Sequence, residues 1–371
     1  MAHQHRFEKL TVGVEEEFLL VDPTTRSTVP RCPEVLKVGA DRLGDRVSSE
    51  LYETQIEAHT RPMAEALELR ADLAEGRRVL AEAAARNDCL IVASGSAVLT
   101  GKPFPISEGA RYEEIARRYP DAVFGVDSES SGCHVHVGSL DRHEAVLLAS
   151  HLRPWLPVLQ ALAVNSPFAA GVFRRCASWR HHDQQAWPTM GPTPPLAGDW
   201  YEALAEDLVA SGAVLDRRMI YWYARPSEHQ PTLEVRIADV NADVDADLLV
   251  ALLIRALAMV LLEEVRAGLP GPAGTGEDVD EAHEQAAALG LAGVWNDPRT
   301  GRPLPLSGAV WALVEKVTPA LEELGEVALI DTLLANVTCG GTGAQRQRAV
   351  YRRRRAFTDV VDDLAARTVR V

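Results

Sequence analysis

The chain has 371 residues, 47% of them hydrophobic and 25% charged, and its formal net charge is −15. This composition excludes a disordered, collagenous or low-complexity chain and allows one large domain or two smaller ones. The negative balance repels phosphate backbones and anionic lipid, so neither nucleic acid nor a membrane surface is expected as a partner. An anionic substrate carried in by a divalent cation stays compatible with it.

Five cysteines, Cys32, Cys89, Cys133, Cys176 and Cys339, form no CxxC pair. A disulfide framework is therefore not expected, and a reducing, cytoplasmic compartment is. Met1–Lys9 is polar and lacks the apolar core of a signal peptide. The most apolar stretch, Leu248–Leu262, contains Arg255. It is shorter than the ~20 residues that span a bilayer and reads as a buried helix.

In chain order, Thr11–Val21 reads as a strand, and Val35–Thr60 as mixed, with short strand-like pieces. Ala64–Arg86 has the periodicity of a long helix, and Leu90–Leu99 fits a buried strand. Ser131–Gly138 is another strand, and Asp141 is placed to cap the helix after it. Pro154 and Pro157 should bend or interrupt that helix before Asn165. Trp187–Pro195 is a proline-rich loop. A turn at Arg225–Pro231 precedes a strand, Thr232–Val240. Asp245 then caps an apolar helix that runs to Glu264, and Gly268–Gly276 is a surface linker. The remainder reads as mostly helical, with a glycine-rich turn at Cys339–Gly343. The basic run Arg352–Arg355 should spread over a helix surface and pair with acids such as Asp359, Asp362 and Asp363. No 20–50-residue repeat and no regular βαβ alternation occur. The pattern predicts one α+β domain over residues 1–371, built on a largely antiparallel sheet.

Four segments carry residues suited to chemistry. On the first strand, alternation puts Glu15 and Glu17 on one face and Glu16 on the other. Two like charges ~4 Å apart repel by roughly 4 kcal/mol at an effective dielectric near 20, so a cation or a proton must offset them unless the face is hydrated. On Ser131–Gly138, His134 and His136 share a face, as a metal-binding or a structural pair, with Cys133 on the other side. On Thr232–Val240, Thr232, Glu234 and Arg236 share a face, and Arg225 at the preceding turn adds a second positive group. On Ser48–Thr60, Gln55, Glu57 and His59 share a face. Glu50 lies seven residues before Glu57. An odd spacing puts them on opposite faces unless a turn or bulge intervenes, and Glu53 competes for the same role.

Together Glu15, Glu17, Glu50, Glu57, His134 and Glu234 form an oxygen-rich set that suits Mg²⁺ or Mn²⁺ better than structural zinc. Arginines beside such a set point to a phosphorylated ligand. No Walker A sequence, no GxGxxG after a strand and no GxSxG is present.

The stretches GVEEEFLLVDP (Gly13–Pro23), ELYETQIEAHT (Glu50–Thr60), GCHVHVG (Gly132–Gly138), Leu152–Phe168, Tyr221–Val240 and Gly341–Arg348 occur in order along nearly the whole chain. The sequence thereby resembles the carboxylate–amine ligases of the glutamate–cysteine ligase type 2 family, distant relatives of glutamine synthetase. The resemblance implies a funnel-shaped, mostly antiparallel sheet with helices on its outer side, ATP with two or three Mg²⁺ in the funnel, and a homodimer. It implies metal ligation by Glu15, Glu17, Glu50, Glu57, His134 and Glu234, and His136 and Arg225 at the nucleotide. Arg236 would face the transferred phosphoryl group. Asn165, Arg180 and Trp222 are the candidate substrate contacts, although Trp222 could equally pack in the core. The implied reaction forms an amide through an acyl phosphate, with glutamate and cysteine as the default amino acid and amine. A metal-dependent hydrolase and a non-catalytic member of the fold are the alternatives. One stretch departs from the family: where an Asp-Thr-Gly-Tyr-like segment is usual before Ser-x-Arg, this chain has Phe173–Cys176, a loop expected to face the amino-acid substrate.

Overall fold

The computed structural model describes residues 6–195, 198–271 and 276–370. Seven strands form its main sheet: β1 (Val12–Val21), β2 (Val47–Ser49), β3 (Gln55–His59), β4 (Leu90–Val92), β5 (Gly132–Gly138), β6 (Ala224–Pro226) and β7 (Thr232–Asp239). The order is β2-β3-β1-β5-β7-β6, with β4 also paired to β1, and every pairing is antiparallel. The expected α+β architecture on an antiparallel sheet is the one observed.

Register decides which side chains meet. Glu17 lies opposite Glu57, which lies opposite Ser48. Glu15 lies opposite His59 on one side and His134 on the other. His136 lies opposite Glu234, and Glu234 opposite Arg225. Directly opposed residues share a face of a sheet, so three rows of polar side chains emerge on one side. The alternate residues Val14, Phe18, Val135, Leu233 and Val235 are buried on the other.

That apolar side packs on helices Ala66–Ala85 and Val244–Arg266, and on the shorter Leu156–Ala163. Leu248–Leu262, expected as a buried helix, lies inside Val244–Arg266, with Leu248, Leu252 and Leu257 fully buried. Its Arg255 is neutralised by Glu326 and donates to the Ala64 carbonyl (2.6 Å). Asp141 closes a capping box with Glu144, as expected, and Pro154 falls in a 3₁₀ turn between two helices.

Four expectations change. Val35–Leu43 belongs to a helix, Cys32–Leu43, although Val35, Leu36 and Val38 crowd together as in a strand; Cys32, Val35, Gly39 and Leu43 supply the buried side. The strand at Leu90 ends at Val92, because Ser94–Ser96 turn against β7, where a Cβ on Gly95 would overlap Asp239. Asp243, not Asp245, caps Val244–Arg266: its carboxylate accepts from the Asp245 N–H at 3.2 Å. The carboxy-terminal third includes a hairpin, Val294–Asn296 with Pro303–Pro305, among its helices. The turn at Cys339–Gly343 forms as expected, with Gly341 at φ +85° and Thr342 capping the next helix. Arg354 pairs with Asp359, whereas Asp362 and Asp363 pair with Arg26 and Arg367. Residues 1–5 of the polar amino terminus and 272–275 of the expected linker lie outside the described residues; 268–271 are exposed.

Candidate active site

The polar face of the sheet lines a cavity of about 590 Å³. Glu15, Glu17, Glu50, Glu57, His134, His136, Glu234, Arg225 and Arg236 all line it. Glu50 reaches it because residues 50–54 turn between β2 and β3 and break the alternation. Glu53 instead offers its backbone carbonyl to the Arg31 and Cys32 N–H groups and does not line the cavity.

Three overlapping ligand sets follow the rows. Glu17, Glu50 and Glu57 form one; Glu15, Glu57 and His134 a second; Glu15, His136 and Glu234 a third. Within each set the donor atoms lie within 4.8 Å of one another. His134 Nδ1 lies 3.2 Å from Glu15, and its Nε2 has no hydrogen-bond partner among the described residues; a Glu17 oxygen is 3.5 Å away. His136 is fixed by Thr232 Oγ1 at 2.9 Å. Glu17 accepts from the Gly132 N–H (2.6 Å), and Glu57 from Ser48 Oγ (3.0 Å).

The four acids Glu15, Glu17, Glu50 and Glu57 have no arginine or lysine partner among the described residues. Burial, then mutual repulsion with the neighbouring glutamates, pushes the Glu50 and Glu57 carboxyls well above the usual range. Burial acts the same way on Glu15, but hydrogen bonds and charge from His134 and His136 outweigh it and hold Glu15 low. Burial of Glu234 is outweighed by Arg225, 3.1 Å away, and by Arg236, which hold it at about 2. Burial, then Arg236, lowers His134. Burial would also lower His136, but Glu15 and Glu234 raise it. Two chemistries therefore sit side by side: a carboxylate set short of positive charge, and an arginine pair locked on one carboxylate. The first set has the oxygen-rich donors and the partnerless imidazole nitrogen that a hard divalent cation requires.

The substrate candidates fall elsewhere. Asn165 is fully buried; its amide donates to the Ala93 and Val240 carbonyls, and its N–H to Asp239. Arg180 is buried beside β5 on the face that carries His134, donating to the Arg236 carbonyl at 3.2 Å. Only glycine fits beside it, since a Cβ on Gly132 would come 2.4 Å from its Nη2. Trp222 packs on Tyr201 in a satellite core. None of the three lines the cavity, and neither does Phe173–Cys176. Phe173 packs on Phe168, Arg174 pairs with Asp127, and the Cys176 carbonyl accepts from Arg348. These residues pack around the cavity walls. Cys133 is buried on the far face, away from His134.

Several wall residues carried no sequence motif. Tyr221 places its ring 5.6 Å from the Arg236 guanidinium. Alternation could not have found it: residues 221–223 precede the strand, and Tyr223, at the even spacing from Arg225, packs on His283 instead. Asp183, Gln184 and Trp187 reach the cavity from loop and short-helix positions. Burial raises the Asp183 carboxyl to about 6, and Ser130 donates to it at 2.8 Å.

The same architecture is found in solved structures. Glutamate–cysteine ligase from Francisella tularensis in complex with AMP superposes with a TM-score of 0.73 at 12% identity, over 98% of this chain and 89% of that one. A bifunctional glutathione synthetase from Pasteurella multocida superposes with a TM-score of 0.65 at 18% identity, over 97% of this chain and 52% of that one. The chain thus has the fold of these ligases, an antiparallel sheet with helices packed on one side.

In sequence the chain is 40% identical over 362 residues to the "Putative glutamate--cysteine ligase 2" of Salinispora arenicola, covering 97% of this chain and 95% of the relative. It is 41% identical over 367 residues to the "Putative glutamate--cysteine ligase 2-1" of Saccharopolyspora erythraea, with the same coverage, 97% and 95%. Residues 11–363 match the glutamate–cysteine ligase family 2, and the chain belongs to that family.

Proposed function

We propose that residues 1–371 form one catalytic domain, an ATP-dependent carboxylate–amine ligase that joins the side-chain carboxylate of glutamate to the amino group of cysteine through an acyl phosphate. The observation that carries this reading is the convergence of Glu15, Glu17, Glu50 and Glu57 on one cavity with no arginine or lysine ion-pair partner among the described residues, next to the Arg225–Glu234–Arg236 group. Family membership supports it, as do the names of the relatives and the AMP in the Francisella complex.

In this reading Glu15, Glu17, Glu50, Glu57, His134 and Glu234 hold magnesium or manganese ions. Bound there, the ions supply the positive charge that the carboxylates lack and that the β- and γ-phosphates of ATP require. His136 and Arg225 contact the nucleotide. The glutamate carboxylate attacks the γ-phosphorus, the bond to the leaving oxygen breaks, and ADP departs. Arg236 donates to the phosphoryl oxygens as charge builds on them. Tyr221 packs beside Arg236 and limits water around it. The cysteine amine, having lost a proton, then attacks the acyl carbon and expels phosphate.

The test is Mg²⁺-dependent ADP release from ATP with glutamate alone, with glutamate plus cysteine, and with a panel of other acids and amines. Release that requires glutamate and cysteine together is the expected result. Release with a different pair would keep the chemistry and replace the substrates. A protein that neither binds nor turns over ATP would remove the ligase reading and bring the metal-dependent hydrolase forward.

A further inference from the structure

A second group of metal-binding side chains lies outside the cavity. Helix Trp179–Asp183 carries His181 and His182 side by side, and helix Gly276–Leu289 brings Glu284 against both. His181 Nε2 is 3.0 Å from one Glu284 oxygen, and His182 Nδ1 is 3.7 Å from the other. The two rings stand nearly perpendicular, at 81°. One donor atom from each residue lies within 4.8 Å of the others. None of the three lines the cavity described above.

Three features separate this group from an ordinary surface ion pair. The first is spacing. Tetrahedral zinc with ligands at ~2.0–2.1 Å sets its donor atoms about 3.3 Å apart, and the two histidine–glutamate separations bracket that value. The second is support. Next to His181 Nδ1 stand Gln160 Nε2 at 3.3 Å and the Tyr223 hydroxyl at 3.4 Å. Gln160 is held in turn by His283, whose ring stacks on His181 at an interplanar angle of 12°. The His181 ring is thus packed from behind with Nε2 facing Glu284, and of these two neighbours the Tyr223 hydroxyl is the one able to accept from Nδ1–H when Nε2 binds a cation. The third is access. His182 is only about one-third exposed and lies edge-on to His181, so its ring is held at the rim of the group. Glu284 is about half exposed, at 55%, so water can reach a remaining coordination position.

We propose that His181, His182 and Glu284 form a second divalent-cation site that takes zinc-like ions through two imidazoles and one carboxylate and clamps the two helices together. Its nitrogen-rich donors prefer Zn²⁺, Co²⁺ or Ni²⁺, whereas the oxygen-rich cavity suits Mg²⁺ or Mn²⁺. The site is independent of the ligase reading, since no cavity residue takes part in it.

Cobalt is the probe. The metal-free full-length protein is held in excess Mg²⁺ to occupy the oxygen-rich cavity, then titrated with Co²⁺ while visible absorption is followed. The expected result is saturable tetrahedral-type absorption at one equivalent, which Zn²⁺ bleaches. His182→Ala and Glu284→Gln alter solvent-accessible side chains, and each should weaken Co²⁺ binding by at least about 100-fold with the fold retained by circular dichroism. Glu57→Gln, in the cavity, should leave the signal unchanged. Absence of the signal in the unaltered protein overturns the proposal. So does a signal that survives both His182→Ala and Glu284→Gln, or one that Glu57→Gln abolishes.

Discussion

Glu16 and its neighbours Glu15 and Glu17 stand on opposite faces of strand β1, and the two faces handle charge in opposite ways. Behind the sheet, Glu16 meets Arg77 on helix Ala66–Ala85, and Asp247 on helix Val244–Arg266 meets the same guanidinium at 2.9 Å. Arg77 also donates to the Asn241 and Ala242 carbonyls, and all three side chains are almost wholly buried. There one guanidinium serves two carboxylates, and burial, then repulsion from Glu16, pushes the Asp247 carboxyl well above its usual range, so Arg77 and a proton complete the cluster within the protein. In front of the sheet, four carboxylates have imidazoles but no arginine or lysine as ion-pair partners among the described residues, and burial raises two of them. A protein retains so much unbalanced charge where a ligand supplies the remainder. One strand thus carries a structural acid between two functional ones, and only their partners tell them apart.

The sharpest way to break the contrast is to remove the cation behind the sheet. Arg77→Ala leaves Glu16 and Asp247 buried and unpaired, and should cost about 3–5 kcal/mol in urea unfolding. A loss under about 1 kcal/mol would mean that the rear cluster is not the completed charge set described. The matching change in front is Glu57→Gln. It should lower Mg²⁺-dependent ADP release by about 10²–10³-fold and leave metal-free stability equal or higher, because it relieves repulsion.

A smaller effect follows from pH. Glu50 and Glu57 bind protons more readily folded than unfolded, so their contribution to stability is complete below the unfolded carboxylate pKa of about 4.3. It is lost as pH rises through their raised values. Glu234, held at about 2, acts in the opposite sense: its contribution is present above about 4.3 and disappears only on acidification toward that lower value. Comparison with and without Mg²⁺ isolates the cavity from other buried acids. Because cations need the deprotonated carboxylates, the rise in Tm on adding Mg²⁺ should be larger near pH 8 than near pH 5.5, by about 2–4 °C. Equal shifts at both pH values would detach metal binding from Glu50 and Glu57.

The smallest effect is expected at the loop that departs from the family pattern. Arg175 is exposed at φ +61°, a conformation that Asp tolerates. Arg175→Asp should leave the KM for either amino acid within about twofold. A tenfold rise would show that the loop reaches the substrate from outside the cavity wall.

Much of the site could be read from alternation alone. A period of two places Glu15 with Glu17, His134 with His136, and Glu234 with Arg236, although the register between β5 and β7 shifts between Val235 and Ala238. Glu50 could not be settled against Glu53, because the turn between β2 and β3 resets the count. Trp222 was the conspicuous residue, yet Tyr221 lines the cavity, since residues 221–223 precede β6 and follow no alternation. Asn165 and Arg180 belong to motifs that continue along the chain, but a motif does not distinguish a side chain that touches a ligand from one that holds up the wall. His181, His182 and Glu284 left no trace as a group, since 103 residues separate His181 from Glu284.

The sequence by itself determined the antiparallel α+β class, the acid and histidine faces of three strands, and the buried course of Leu248–Leu262, because hydrophobic period and side-chain alternation are local properties of the chain. Tertiary structure alone decided which strands lie side by side, hence that Glu17 faces Glu57 and Glu15 faces His134. It also decided that Glu16 finds Arg77 while its neighbours find no cation. Strand register and helix docking set those pairings through contacts between residues far apart in sequence, and no local pattern encodes them.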